Sequence, residues 1–170
     1  MKKILKFGAV LSTTLIMVGC ASTQKIADKE TQQFRYEIEA AGVGTQGTYQ
    51  VKVWTYSKDP NVATEQAKKN AVHGVIFKGF AGKDRVTGQK PLAANAGIEQ
   101  ERKDYFEPFF ANGGKYQQFV SLSNNGAIAP GDRIKIGKEY KIGVVVSVNV
   151  ATLRKELEDA GIIQKLGGIF

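Results

Sequence analysis

The sequence predicts an α+β fold, a single domain built on a mainly antiparallel sheet with helices packed on one of its faces. Two observations indicate this class. Several stretches alternate apolar and polar residues with the period of two that is typical of a half-buried strand, and others carry apolar or small residues at helical spacing. Along the chain the predicted order is two strands, a helix, a further helix or loop, two strands and a final helix.

The first two predicted strands are residues 34–40 and 48–57. In the second, Tyr49, Val51, Val53 and Thr55 should share one face, opposite Gln50, Lys52, Trp54 and Tyr56. The connection from Gly42 to Gly47 spells G-x-G-x-x-G. A dinucleotide fingerprint needs these glycines to open a helix, whose amides then meet the pyrophosphate. Because a strand follows here, we interpret them as a hairpin loop and expect no bound cofactor.

A helix is predicted from Asn61 to about Lys78, with Asp59 and Pro60 as its start signal. The predicted inner face of this helix carries small residues, so the helix axis can lie close to a sheet. Its outer face is charged. His73 lies within it and is expected to be a packed or half-exposed residue, not a catalytic base. The inner face holds Ala63, Ala67, Ala71 and Gly74, and the outer face holds Glu65, Lys68 and Lys69.

The second half of the chain returns to strand patterns. Residues 98–105 are predicted to be helical, with Pro108 ending or kinking the helix. Strands are predicted over residues 116–123 and 140–150, separated by a turn-rich stretch at 124–132. The last helix should cover residues 151–160, with Leu153 and Leu157 facing inward and Gly161 as its stop. The buried face of strand 140–150 should carry Ile142, Val144, Val146, Val148 and Val150.

The N-terminal segment has the layout of a secretory signal peptide. Lys2, Lys3 and Lys6 precede an apolar run over residues 7–18, and Gly19 stands before Cys20, the only cysteine of the chain. The 13 residues from Phe7 to Gly19 fall short of the roughly 20 that cross a bilayer. We therefore expect residues 1–19 to be removed.

The end of this segment, Met17-Val18-Gly19-Cys20, resembles the lipobox of bacterial lipoproteins, although Met17 stands where that family usually has Leu. The resemblance implies that lipid is attached to Cys20 and holds the chain to a membrane. Residues 20–33 would then be a lipidated N-terminus and tether, and residues 34–170 the domain. Ala21 and Ser22 follow the cysteine in place of Asp, which resembles the pattern of lipoproteins sorted to the outer membrane.

Composition argues against several classes of function. Removal of the first 19 residues takes away three of the 24 lysines and arginines and none of the 16 acids, which leaves a net charge of +5. This charge is scattered along the chain, so no nucleic-acid partner is expected. With one cysteine and one histidine, the chain lacks the residues for a disulfide or a multi-histidine metal site.

Two segments are candidates for binding a partner. The stretch from Gly79 to Gly97 is a long predicted loop with Lys83, Arg85 and Lys90, and loops of this length are often functional. The second segment holds four aromatic residues within six positions. If exposed, it would form an apolar patch for a protein or membrane; if buried, it would supply core volume. Its aromatic residues are Tyr105, Phe106, Phe109 and Phe110.

The sequence gives little indication of catalytic groups. Glycosidases use two carboxylates across a cleft, but the acids here lie on predicted polar faces that favour solvation. No G-x-S-x-G sequence marks a serine nucleophile, and such a triad would have to use His73. The sequence therefore predicts no enzymatic activity. The carboxylates considered were Glu37, Glu39, Glu99, Glu101, Asp104 and Glu107.

The expected domain is similar in pattern to small α+β domains of envelope lipoproteins and flagellar-assembly accessory proteins. The likeness is carried by the segments 67–71 (AKKNA) and 146–150 (VSVNV), together with Leu153 and Leu157. It implies a non-enzymatic role in secretion or surface assembly, through a protein partner in the envelope. The alternative is a surface or periplasmic module that binds a glycan or small ligand through the 79–97 loop and the aromatic residues.

Overall fold

The computed structural model describes residues 34–165. The predicted signal peptide, Cys20, the tether and the C-terminal Ile169-Phe170 lie outside the described residues. Within them, five antiparallel strands form one sheet, and the helices pack with it around one core, so the predicted α+β class is confirmed. The strands are β1 (Tyr36–Gly42), β2 (Thr48–Ser57), β3 (Val120–Leu122), β4 (Arg133–Ile136) and β5 (Glu139–Asn149). The helices are α1 (Pro60–Phe77), α2 (Ile98–Glu101), α3 (Lys103–Phe109) and α4 (Val150–Asp159).

β5 is the strand on which the sheet depends. The order across the sheet is β1-β2-β5-β3, and β4 also pairs with β5. Because β2 occupies one edge of β5 along its whole length, β3 and β4 share the other edge, near residues 146–148 and 139–142 respectively. The predicted inner face is confirmed at four of its five positions: Ile142, Val144, Val146 and Val148 are fully buried. Val150 instead begins α4.

α1 covers the inner faces of β2 and β5. Ala63, Ala67 and Ala71 are fully buried, as predicted, and a Cβ at Gly74 would come within 2.8 Å of Ile38 Cδ1. These small side chains let the helix axis lie close to the sheet. Lys69 was predicted on the outer face, and this is wrong: it is 7% exposed, with its ammonium 6.0 Å from the ring centre of Tyr116.

The glycine-rich connection is a hairpin loop, as predicted. It joins β1 to β2, and Thr48 N donates to Thr45 O at 2.9 Å. Gly47 has a φ of +80°, which explains glycine at this position, and a Cβ at Gly44 would lie 2.6 Å from Thr48 O. The loop is therefore specified by its turn geometry.

The structure differs from the prediction at three elements. The predicted strand at 116–123 is a 3-10 helix over Lys115–Phe119 followed by β3, because Tyr116 and Phe119 both reach the core at a spacing of three residues. The helix predicted at 98–105 is divided between α2 and α3 at Arg102, whose φ of −114° and ψ of 38° are not helical. β4 was not predicted: its residues alternate charged and apolar side chains, but the run is only four residues long and follows a turn-rich stretch.

The 79–97 segment is more ordered than the predicted irregular loop. Phe80 pairs with Gln89 and Lys83 with Val86 in antiparallel bridges, and Ala40 N of β1 donates to Ala81 O at 3.0 Å. Further along, the amides of residues 92 and 93 donate to the carbonyls of residues 75 and 76 at 3.0 and 2.9 Å. The segment thereby satisfies carbonyls at the end of α1 that the helix itself leaves unpaired.

A pair of buried hydroxyls on β2 gives the first prediction. Thr55 Oγ1 has no hydrogen-bond partner among the described residues, whereas Ser57 Oγ donates to Asp59 O at 2.9 Å and accepts from Asp59 N at 3.0 Å. Thr55→Val should raise the free energy of unfolding by about 1 kcal/mol, because it removes an unpaired buried hydroxyl at nearly constant shape. Ser57→Ala, the control, should lower it by a similar amount. Urea unfolding measures both, and destabilisation by Thr55→Val would mean that its hydroxyl is paired.

Candidate functional site

The sheet face opposite α1, called here the open face, carries aromatic residues near its centre. Trp54 and Tyr56 of β2 and Val145 of β5 are half-buried there. Trp54 pairs in register with Gly143, and a Cβ at Gly143 would lie 2.9 Å from the Trp54 ring. The glycine therefore leaves room for the indole to lie against the sheet.

Charged residues surround these aromatics and are joined in pairs. Glu39 Oε1 accepts from Trp54 Nε1 at 3.2 Å and from Lys83 Nζ at 2.8 Å. Glu37 Oε1 accepts from Tyr56 Oη and Lys141 Nζ, both at 2.8 Å. On the other side of the face, Lys52 Nζ lies 2.8 Å from both carboxylate oxygens of Asp132. The hydrogen bonds hold both aromatic rings in place.

The electrostatics of the open face follow from these contacts. The hydrogen bonds from Lys141 and Tyr56 lower the pKa of Glu37, and the same bond to Glu37 raises the pKa of Lys141. Burial works to raise the pKa of Glu39, but the hydrogen bonds from Lys83 and Trp54 outweigh it, so that pKa is lowered. Both carboxylates are therefore ionised at neutral pH and held as acceptors. This suits a binding surface, since neither is poised to donate a proton.

A second polar cluster lies on the helix side, at the edge of the core. Tyr36 Oη of β1 lies 2.6 Å from His73 Nδ1 of α1, and His73 Nε2 lies 3.1 Å from Glu99 Oε1 of α2. The His73 ring stacks on Phe34 at a centroid distance of 3.7 Å, and Phe77 and Phe110 also contact it. His73 is 4% exposed, so the prediction of a packed histidine is confirmed.

Burial sets the protonation of this cluster. Burial, together with the nearby Lys78 ammonium, lowers the pKa of His73 to about 3. Burial also raises the pKa values of Tyr36 and Glu99. The neutral imidazole then accepts from Tyr36 at Nδ1 and donates to Glu99 from Nε2. The sequence could not reveal this chain of contacts, because its three members come from separate elements.

The aromatic segment at 105–110 belongs to the core. Phe106, Phe109 and Phe110 are 4%, 3% and 4% exposed, so their prediction as partner-binding residues is corrected: they supply core volume, which was the alternative. The helix α3 places them beside one another, and Phe109 and Phe110 meet edge to face at 4.9 Å. Tyr105 is half-buried, and its hydroxyl donates to Glu156 Oε1 at 3.1 Å.

The basic residues of the 79–97 segment are exposed and lie in three different places. Lys83 pairs with Glu39 and so joins the rim of the open face. Arg85 has a φ of 70° at the tip of the segment, next to Asp84 at 48°. Lys90 lines a shallow hollow with Lys78 and Pro91 beside β1. Of these three basic residues, the structure therefore brings only Lys83 to the aromatic pair on the open face. Trp54 and Tyr56 were not among the predicted partner-binding residues.

No protein-family model, curated protein or solved structure matches this chain. Among residues 34–165, none of the helices is both long and apolar enough to cross a membrane.

The buried histidine makes stability depend on pH. Between pH 6.5, the usual pKa of histidine, and about 3, the unfolded chain binds a proton that the folded chain does not, so stability falls as pH decreases. The slope from this group approaches about 1.4 kcal/mol per pH unit. The double variant His73→Phe/Tyr36→Phe should lack this slope between pH 6.5 and 5, as measured by urea unfolding at each pH.

The single variant Tyr36→Phe is the matched control and should keep the slope, because His73 stays buried. Equal slopes in the wild type and the double variant would show that His73 is solvated and titrates normally. The raised pKa of Glu99 gives a slope of the opposite sign, so the double variant is compared with Tyr36→Phe, because both retain Glu99.

Phe109→Ala tests the assignment of the aromatic segment to the core. The substitution should lower the free energy of unfolding by about 3–5 kcal/mol, because it leaves a cavity among packed rings. Phe80→Ala is the control, since Phe80 is only half-buried, and it should cost clearly less. If Phe109→Ala has almost no effect on thermal unfolding, Phe109 is not packed in the core and this segment lies at the surface.

Proposed function

We propose that the chain is the precursor of a lipoprotein that is cut before Cys20 and anchored through lipid to the outer membrane. There it acts as a non-catalytic accessory or structural component of a cell-envelope assembly. The observation that carries the proposal is the position of the only cysteine, directly after Gly19 at the end of a signal-like segment. A lone cysteine placed there by chance would be improbable.

The physical case for an anchor has two parts. A helix of the 13 residues from Phe7 to Gly19 would be about 20 Å long, which is less than the roughly 30 Å of the hydrocarbon core, so cleavage fits better than retention. Lipid on the new N-terminal cysteine would then replace the segment as the attachment. Because one acyl chain gives only reversible binding, stable anchoring requires more than one chain on Cys20.

The open face is the surface that we assign to a protein partner. Protein interfaces typically have an apolar centre with Trp and Tyr anchors and a polar rim. Trp54, Tyr56 and Val145 supply such a centre, and the ion pairs of Glu37, Glu39 and Lys52 supply the rim. The predicted patch at 105–110 is buried, which leaves the open face as the better candidate.

A second candidate function is favoured by the same aromatic pair. Trp54 and Tyr56 present partly exposed rings beside hydrogen-bonding carboxylates and ammonium groups, which is a combination that also binds glycans or small ligands. Trp54 is the only tryptophan of the chain, so its fluorescence reports on this site directly. A saturable spectral change with a glycan, lost in Tyr56→Ala, would favour this alternative.

The Cys20→Ala variant tests the anchor. In a bacterial host that processes lipoproteins, it should incorporate no labelled fatty acid and should leave the membrane fraction, because the attachment atom is gone. Thr23→Ala is the matched control, since it alters a nearby residue but keeps the cysteine and should stay on the membrane. If Cys20→Ala remains tightly bound to membranes, the anchor is elsewhere.

A photo-crosslinking amino acid placed on the open face tests the partner. Val145 is at the centre of that face, whereas Lys155 lies on α4 with 75% of its side chain exposed. The crosslinker at position 145 should yield one dominant adduct of defined mass from intact envelopes, and at position 155 it should not. Equal yields from both positions, or none from either, would contradict an open-face partner.

A further inference from the structure

The hairpin formed by β4 and the start of β5 carries cations without carboxylate partners. In this basic hairpin, defined as Arg133 to Tyr140, the exposed residues Arg133, Lys135 and Lys138 form no ion pair within the described part of the chain. The acid of the same hairpin, Glu139, is already paired with Arg35 at 3.3 Å. The charges of the hairpin that have no ion-pair partner are therefore all positive, and they lie within six positions of the sequence.

The same hairpin exposes two large apolar side chains. Ile134 and Ile136 are 45% and 47% exposed. They pair in register with Lys141 and Glu139, so both lie on the open face, whereas Arg133 and Lys135 lie on the other face of the strand. An exposed edge strand with isoleucines is a liability in water, and a surface that covers it would remove that liability.

The tether enters the domain beside this hairpin. Arg35, the second described residue, reaches Glu139 with its guanidinium and lies 4.2 Å over the Tyr56 ring. Tyr36 pairs with Thr55, and Thr55 with Ile142, so the start of β1 and the start of β5 are at one end of the sheet. Arg35 and the start of β5 are thus about two strand spacings apart, roughly 10 Å.

The length of the tether keeps this end of the sheet near the anchor. Phe34 is 14 residues after Cys20, and a flexible chain of that length spans about 20 Å. A tether of this length lets the hairpin reach the bilayer, and a cation that comes within about one Debye length of an anionic bilayer, near 8–10 Å, is attracted to it. The basic hairpin is thus both the charged part and the anchor-proximal part of the domain.

From these placements we propose that the basic hairpin docks onto the anionic phospholipid headgroups of the membrane that holds the chain. Arg133, Lys135 and Lys138 bind headgroup phosphates, and Ile134 and Ile136 enter the headgroup boundary. The proposal rests on the proposed function, since it takes Cys20 as the anchor. Docking would stand the sheet on the membrane, with the β1–β2 loop, where Val43 is 87% exposed, at the far end.

An acidic strand of a protein partner could also add to the edge of β4. The position of the tether favours the membrane, because the anchor delivers a bilayer to this end of the sheet whether or not a partner is present. The high local concentration of lipid headgroups thereby outweighs a partner in solution.

The test uses the full chain, processed and purified in its lipidated form, with a single new thiol. Ile136→Cys is labelled with an environment-sensitive fluorophore, and Val43→Cys is the matched control at the opposite end of the sheet. Each protein is placed in vesicles of phosphatidylcholine alone or mixed with phosphatidylglycerol. The emission and its quenching by lipid-attached quenchers are then measured.

At position 136 we expect a blue shift and lipid quenching only with phosphatidylglycerol, both reversed by high salt; position 43 should not respond. Adding Lys135→Gln and Lys138→Gln should lower the docking equilibrium constant by about 30-fold. A label at 136 that stays in water in anionic vesicles would overturn the proposal and leave the hairpin to an acidic protein strand.

The design separates this failure from failure of the anchor. In the lipidated wild-type chain Cys20 is blocked, so the thiol reagent should not react with it, and the protein should float with either kind of vesicle. A wild-type chain that takes up the label and does not float would disprove the anchor. A protein that floats, but whose label at 136 is indifferent to phosphatidylglycerol, disproves only the docking.

Discussion

The close contact of α1 with the inner faces of β2 and β5 is the constraint on which the other features depend. It is possible because the helix presents Ala63, Ala67 and Ala71 to the sheet and Gly74 to Ile38. α1 buries the valines on the inner faces of β2 and β5, and it does not cover the other face of the sheet. The opposite face is left open, and the polar positions of the same strands supply its aromatic and charged residues.

The helix layer also contains a polar cluster. His73 is enclosed by aromatic rings, yet both of its nitrogens have partners in Tyr36 and Glu99. A buried histidine without partners would be costly, and these two contacts connect β1, α1 and α2. The cluster therefore positions elements at the start of β1, which is where the tether joins the domain.

The sequence predicted the parts of the fold that have a regular burial pattern. β2, β5 and α1 were found because their apolar and small residues repeat with the period of their element. Residues 116–123 were predicted as a strand, but Tyr116 and Phe119 are buried at the three-residue spacing of a 3-10 helix. This spacing fits neither the period of a strand nor that of an α-helix. β4 was missed because its alternation of charged and apolar residues covers only four positions. The sequence places Trp54 and Tyr56 on one face of the second strand, but only the register of β1 against β2, with Glu37 opposite Trp54, brings acidic side chains beside them, so they were not among the predicted partner-binding residues.

The proposed lipid on Cys20 is the central claim, because the proposed orientation of the domain at the membrane follows from it. Intact-mass spectrometry of the protein extracted from its native membrane tests this directly. The account predicts a chain that begins at Cys20 and carries the added mass of a diacylglyceryl group, with or without a further acyl chain. A chain that begins at another residue, or that retains a free thiol at Cys20, would contradict it.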